Sequence, residues 1–210
     1  MFDSASLRIK IGEHPIPSTL VEKPCEKERL YRARIDFCDA CGFVQPDNPI
    51  SLKQAYVKYP YVTGDHHQPQ IPRELELIEK ITKLENNSRI LEIGSNDGSF
   101  LEAIRNRGYP NVLGVDPLAE VSGLARTKGI ETIPNDFNPE TANRLVTKYG
   151  HFDLLVARDV IPYMPKLDEL QEAIRIVLRP GGFVLVEVPD FSFNLTYEDY
   201  TMPWYATSNC

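Results

Sequence analysis

A short apolar run, Arg89-Ile90-Leu91-Glu92-Ile93, passes directly into Gly94-Ser95-Asn96-Asp97-Gly98 and then into a helical pattern carrying Phe100, Leu101 and Ile104. Branched apolar residues in a run this short, closed by glycine, read as a buried strand. Gly94 allows a sharp turn and a close approach of ligand to backbone. Gly98 opens the helix, whose first N–H groups face that ligand. A strand that feeds a helix through such a turn commits the chain to a crossover connection and a parallel sheet.

The same alternation recurs downstream. Asn111–Val115, Glu131–Ile133, Phe152–Val156 and Phe183–Val188 read as further strands, the last entered through a turn at Pro180-Gly181-Gly182. The intervening helices present Leu118, Val121, Leu124 and Ala125, and then Leu167, Leu170, Ile174 and Val177. A helix from Pro72 to Leu84 precedes the first of these strands, with Leu77, Ile78, Ile81 and Leu84 as its apolar stripe. The fold class is α/β: a doubly wound, mostly parallel, Rossmann-like sheet. Ligands bind such sheets outside the carboxyl ends of the strands, here at residues 94–98, 116–118, 134–137, 157–163 and 188–190.

Three zones divide the 210 residues: an irregular, proline-rich segment over 1–70, the alternating region over 71–200, and a short tail over 201–210. The net charge of −7 argues against a nucleic-acid partner, which requires a basic face. No apolar run reaches the roughly 18 residues of a membrane span, and the N-terminus lacks a secretory pattern, so the expected compartment is the cytoplasm. Four cysteines are too few for a disulfide scaffold.

Asp116 follows Gly94 by 22 residues, at the end of the second core strand. A carboxylate there can accept both hydroxyls of a ribose, so the pocket is expected to hold a nucleoside. A dinucleotide site needs G-x-G-x-x-G, but Asn96 and Ser99 stand at its second and third glycine positions. The phosphate-binding G-x-x-x-x-G-K-[ST] is absent too. Glu92 beside two spaced glycines suits a cationic, phosphate-free cofactor better, and S-adenosylmethionine (SAM) is such a ligand.

LEIGSNDGSFL, VLGVDP, FDLLVARDVI and LRPGGFVLVEVPD resemble, in order, the motifs of class I SAM-dependent methyltransferases. The resemblance implies that Glu92, Gly94, Asn96 and Gly98 line the methionine end and that Asp116, followed by Pro117, holds the ribose. It places Asp136 and Phe137 at adenine, although Asp136 reads equally well as a turn or helix cap before Pro139. Ala157 and Arg158 would face the cofactor, with a structural ion pair as the other reading of Arg158.

Cys38-Asp39-Ala40-Cys41-Gly42 is a tight knuckle that can place two thiolates on one zinc ion. A closed site needs four ligands. Cys25 and His14 are the available extras, and two unligated thiols are the competing reading. CDACGFVQPDNP, followed by Tyr59-Pro60-Tyr61 and Thr63-Gly64, resembles the zinc-binding N-terminal domain of sugar C-methyltransferases, which act on carbon 3 of nucleotide-linked 4-keto-deoxysugars. In that family a further C-x-x-C lies upstream and more strands follow, so the chain is expected to be truncated at both ends, with the final strands of the sheet missing.

Methylation of carbon next to a ketone requires a base to form an enolate. Tyr163 stands where that family has a histidine. Its ordinary pKa of about 10 makes it a better hydrogen-bond donor than base. Asp190, near the ligand end of the last strand, is the carboxylate candidate. The expected cofactors are SAM and Zn2+, and the expected acceptor is a nucleotide sugar. A catalytically impaired SAM-binding remnant and an NAD-dependent oxidoreductase are the alternatives.

Overall fold

The computed structural model describes residues 7–15, 30–46, 61–65, 68–164 and 166–188. They fall into two compact units, one from within Met1–Pro60 with Ile161–Met164 and Val188, the other from Tyr61–Val160 and Pro165–Glu187.

The first unit carries an antiparallel sheet in the order β1 (Leu7–Pro15), β2 (Leu30–Phe37), β3 (Val44–Pro46). A bulge between Lys10 and Gly12 bends β1. Arg8 clamps the buried Asp36 of β2 with hydrogen bonds of 2.6 and 2.7 Å, and these hold the Asp36 carboxyl below its ordinary range. The cysteine knuckle is the turn from β2 to β3. Gly42 N donates to Cys38 O at 2.8 Å and Cys38 N to Phe43 O at 2.9 Å.

The second unit is a five-stranded parallel sheet: β4 (Arg89–Ile93), β5 (Asn111–Val115), β6 (Thr132–Ile133), β7 (Phe152–Arg158) and β8 (Leu178–Glu187). Its order is β6-β5-β4-β7-β8. The chain steps outward from β4 to β6, then returns to the other side of β4 for β7. That reversal opens the ligand crevice over the carboxyl ends of β4 and β7. The helices are α1 (Ile71–Thr82), α2 (Ser99–Asn106), α3 (Ala119–Thr127), α4 (Pro139–Tyr149) and α5 (Leu167–Val177). No helix among the described residues is long and apolar enough to cross a membrane.

The central strands are buried on both faces, so they are apolar almost throughout. Ile90, Leu91, Leu154, Leu155, Val156 and Ala157 are fully buried, as are Phe100, Leu101 and Ile104 of α2. Each of these side chains larger than alanine contributes about 1.5–3 kcal/mol of transfer free energy.

The helix faces differ from the periodic reading. α1 buries Leu75, Ile78 and Thr82, while Leu77 and Ile81 are exposed. Thr82 enters the core because its hydroxyl donates to Ile78 O at 2.6 Å. α3 buries Val121, Ser122 and Ala125 and turns Leu124 outward. Pro180-Gly181-Gly182 lies within β8, where the partner of β7 jumps from Leu178 at Phe152 to Phe183 at Leu154. Gly181, at φ +75°, takes up that irregularity.

Candidate functional site

At the carboxyl end of β4 the backbone doubles back against β5. Gly94 N and Ser95 N donate to Val115 O at 2.8 and 3.3 Å. Gly94 sits at φ +67°, and a Cβ there would lie 2.7 Å from Val160 Cγ2. Asn96 is left-handed at φ +50°, a region that asparagine tolerates better than most residues. Gly98, at φ +74°, is needed for packing: a Cβ would meet Ala125 and Ile130 at 3.1 Å.

Asp116 is buried and tied at both oxygens. It accepts Asn96 N on Oδ2 and Leu118 N on Oδ1, each at 2.9 Å. Burial pushes its carboxyl up despite those two donors. A carboxylate oxygen has about two acceptor directions, and these donors use one on each.

The Asn96 side chain is already engaged. Its Oδ1 accepts Thr63 N at 3.1 Å and Asp97 N at 2.8 Å, and its Nδ2 donates to Tyr61 O at 3.1 Å. Next to it, Asp97 is only 1% exposed. Its Oδ2 accepts Gly64 N at 3.0 Å and Ser99 Oγ at 2.9 Å and forms an ion pair with Lys128 Nζ. Its Oδ1 accepts Ser99 N at 3.3 Å, the first amide of α2. Burial opposes ionisation, but the donors from Lys128 and Ser99 outweigh it and hold Asp97 below its ordinary value.

Two buried polar atoms at this end of β4 have no hydrogen-bond partner among the described residues: Glu92 Oε2 and Ser95 Oγ. Burial, reinforced by Asp116 and Asp97, drives the Glu92 carboxyl well above its ordinary value even with Arg158 opposing. The folded chain therefore holds this proton more tightly than the unfolded one. Its contribution to stability is present in full below about pH 4.5, the ordinary value, and is lost as pH rises through the folded value. Glu92→Gln is expected to remove that loss. Urea midpoints at pH 5, 6, 7 and 8 should fall less steeply in the variant, and parallel profiles would show that Glu92 does not titrate in this window.

Arg158 ends β7 and lies over the Phe100 ring, 4.4 Å from its centroid. Its Nε donates to Glu187 Oε2 at 3.0 Å and stands 3.1 Å from Glu74 Oε2. The structure thus gives this guanidinium two carboxylates of its own chain. Ala157 is fully buried in β7 and Pro117 is exposed beside Asp116. Phe137 is buried and Asp136 exposed, and the cap of α4 is Asn138, whose Oδ1 accepts Thr141 N at 2.9 Å. Tyr163 lies in a short 3-10 turn, Ile161–Tyr163, grouped with the first unit. Asp190 and Cys25 lie outside the described residues.

Cys38 is buried and Cys41 exposed. The backbone N–H groups of Cys41 and Ala40 hold the Cys38 thiol below its ordinary value, which favours thiolate. Among the described residues, however, no group of three or more possible metal ligands comes together. Two thiols do not make a four-ligand zinc site.

Asp97, Ser99, Lys128 and Gly64 belong to the site's framework, and the motif reading gave them no role in it. The available signal was the acidic residue, Asp97, inside the glycine turn.

A family model described as "Methyltransferase domain" matches residues 65–210. C-methyltransferase NovU of Streptomyces niveus is 28% identical over 185 residues, covering 86% of this chain and 44% of that protein. A ubiquinone biosynthesis O-methyltransferase of Chelativorans is 30% identical over 99 residues, covering 47% of this chain and 39% of that protein. The chain thus spans less than half the length of these relatives. A SAM-dependent methyltransferase from Anabaena variabilis superposes with a TM-score of 0.52 at 18% identity, covering 63% of this chain and 57% of that one. This likeness is one of fold.

Proposed function

The chain belongs to the methyltransferase-domain family, and from that premise we propose that its crevice binds SAM and transfers the methyl group to a sugar. The observation that carries the cofactor reading is Asp97. In a dinucleotide site the pyrophosphate sits at the N-terminus of the helix after the glycine turn. Here an ionised, buried carboxylate holds the first amide of α2. A pyrophosphate brought there would face a like charge in a desolvated site. The methionine end of SAM carries no phosphate, and its ammonium and sulfonium outweigh the single charge of its carboxylate, leaving a net cation for this acidic end of the sheet.

Glu92 and Ser95 fit the same ligand, since each has a buried oxygen still to be satisfied. Asp116 would accept the ribose hydroxyls, with Gly94 and Gly98 shaping the loop. Phe137 and Asp136 would meet adenine. Bound SAM supplies an electrophilic methyl group. The chain's part is to orient it, to exclude water and to handle the acceptor's proton.

The acceptor we propose is a nucleotide-linked keto-deoxysugar, methylated at carbon through an enolate. The cysteine-knuckle motifs support the sugar acceptor, and the C-methyltransferase that aligns over 86% of the chain supports methylation at carbon. In this reading Tyr163 donates a hydrogen bond to the enolate oxygen and Asp190 takes the proton.

Calorimetric titration with S-adenosylhomocysteine, with NAD as control, tests the cofactor class. Saturable binding of the first alone is expected, weakened at least tenfold by Asp116→Ala. A folded sample that binds neither, or binds NAD, overturns the reading.

A further inference from the structure

The backbone of Tyr61–Gly64 lies across the glycine turn and uses three of its four residues to do so. Tyr61 O takes the Asn96 amide proton at 3.1 Å, Thr63 N donates to Asn96 Oδ1 at 3.1 Å, and Gly64 N donates to Asp97 Oδ2 at 3.0 Å. Both ends of the Asn96 side chain are therefore held by a segment 33 to 35 residues away in sequence. Asn96 is also the non-glycine residue of the turn at positive φ, and its own N–H is the donor to Asp116 Oδ2. A hydrogen-bonded path thus runs from the 61–64 segment through Asn96 to the carboxylate proposed to hold the ribose.

Gly64 permits this approach because it has no side chain. A Cβ there would stand 2.5 Å from Asp97 Oδ2, 2.9 Å from Ser99 Oγ and 3.0 Å from Lys128 Nζ. Lys128, at the end of α3, closes the arrangement from the other side by binding both Asp97 Oδ2 and Ser99 Oγ. Two of the four donors to the buried Asp97 carboxylate thus come from residues outside the turn.

We infer that Tyr61–Gly64 and Lys128 form a clasp that holds the glycine turn in its ligand-binding shape, making Gly64 and Lys128 positioning residues for the cofactor. The inference rests on the SAM reading and extends it, because neither residue is offered as a contact of the cofactor. Without the clasp, Asn96 Nδ2 loses its acceptor and Oδ1 keeps only Asp97 N, so the left-handed turn loses its restraint from outside. The amide offered to Asp116 then moves with it.

The test compares wild type with Gly64→Ala and Lys128→Met in S-adenosylhomocysteine titration, with Lys128→Arg as the conservative variant. Hydrogen–deuterium exchange of a peptide spanning 94–98 is followed in the same proteins without ligand. Both disruptive variants are expected to raise the dissociation constant about tenfold and to speed exchange in that peptide, with Lys128→Arg near wild type. A general loss of fold would instead speed exchange in the core strands as well. Gly64→Ala can fail to fold, and Lys128→Met, altering a side chain 29% exposed, then carries the test. Unchanged affinity and unchanged exchange overturn the clasp while leaving the SAM reading intact. A wild type that binds no S-adenosylhomocysteine fails the SAM reading, and the ligand-free exchange data then still decide whether the clasp restrains the turn.

Discussion

Arg158→Met is expected to lower the free energy of unfolding by about 3 kcal/mol, the scale of breaking a buried ion pair from one side. An exposed pair would contribute less than about 1 kcal/mol. The difference here is burial. The Arg158 side chain is 10% exposed and Glu74 is 18% exposed. Methionine fills a similar volume, so little of the loss comes from a cavity. The cost comes from two carboxylates left facing each other. Glu74 already sits above its ordinary value because of burial, with Arg158 opposing the rise. The guanidinium also lies on the Phe100 ring, a cation–π contact that adds to the loss. Glu187 is 34% exposed, so water recovers part of its charge and keeps the estimate below the top of the buried-pair range. Urea denaturation measures the effect, and Arg158→Met combined with Glu74→Gln should restore part of it. A loss under about 1 kcal/mol would mean that the arginine behaves as a surface residue.

Gly114→Val is expected to be comparably damaging, about 3 kcal/mol, for a steric reason. Gly114 is in the middle of the sheet, paired with Glu92 on β4 and Thr132 on β6. A Cβ there would lie 2.3 Å from Ser95 Oγ, 2.8 Å from Thr132 Oγ1 and 2.9 Å from Ser95 Cβ. Overpacking in a well-filled core costs about 1–3 kcal/mol, and valine adds two methyls beyond the atom that already collides. Because the side chain that must give way is Ser95, the turn itself is pushed, and S-adenosylhomocysteine affinity should fall together with stability. Gly123→Ala is the control: that glycine lies in α3, the nearest atom to its Cβ would be 4.0 Å away, and alanine should raise stability by about 0.5–1 kcal/mol. If Gly114→Val retained wild-type stability, the contact between β5 and the turn would be looser than the structure gives.

Much of the parallel core was legible because its signals are local. Five short apolar runs, each closed by a turn and most followed by an amphipathic pattern, placed β4 to β8 in order, and a ligand crevice at their carboxyl ends follows from that topology. The face each helix turns inward was less legible. α1 offers two overlapping stripes, and only packing selected Leu75, Ile78 and Thr82 over Leu77 and Ile81. The extent of β8 was misjudged for a related reason: Pro180-Gly181-Gly182 signals a turn locally, but pairing with β7 begins before it and resumes after.

By itself, then, the sequence determined the alternation of strands and helices, the glycine turn after β4 and the acidic residue at the end of β5. Each is written in the spacing of neighbouring residues, and backbone geometry converts such spacing directly into structure. Only the tertiary structure decided which polar groups are spoken for. Asn96 is expected to line the cofactor, and the structure adds that its side chain holds Tyr61 and Thr63. The sequence leaves Arg158 between a place at the cofactor and a structural ion pair, and folding sets it between Glu74 and Glu187. Asp97 drew no role from its motif, yet it holds the first amide of α2 with Gly64 and Lys128 against it. A buried charge must find a partner wherever folding brings one, and no sequence spacing records a meeting between residues about 30 positions or more apart.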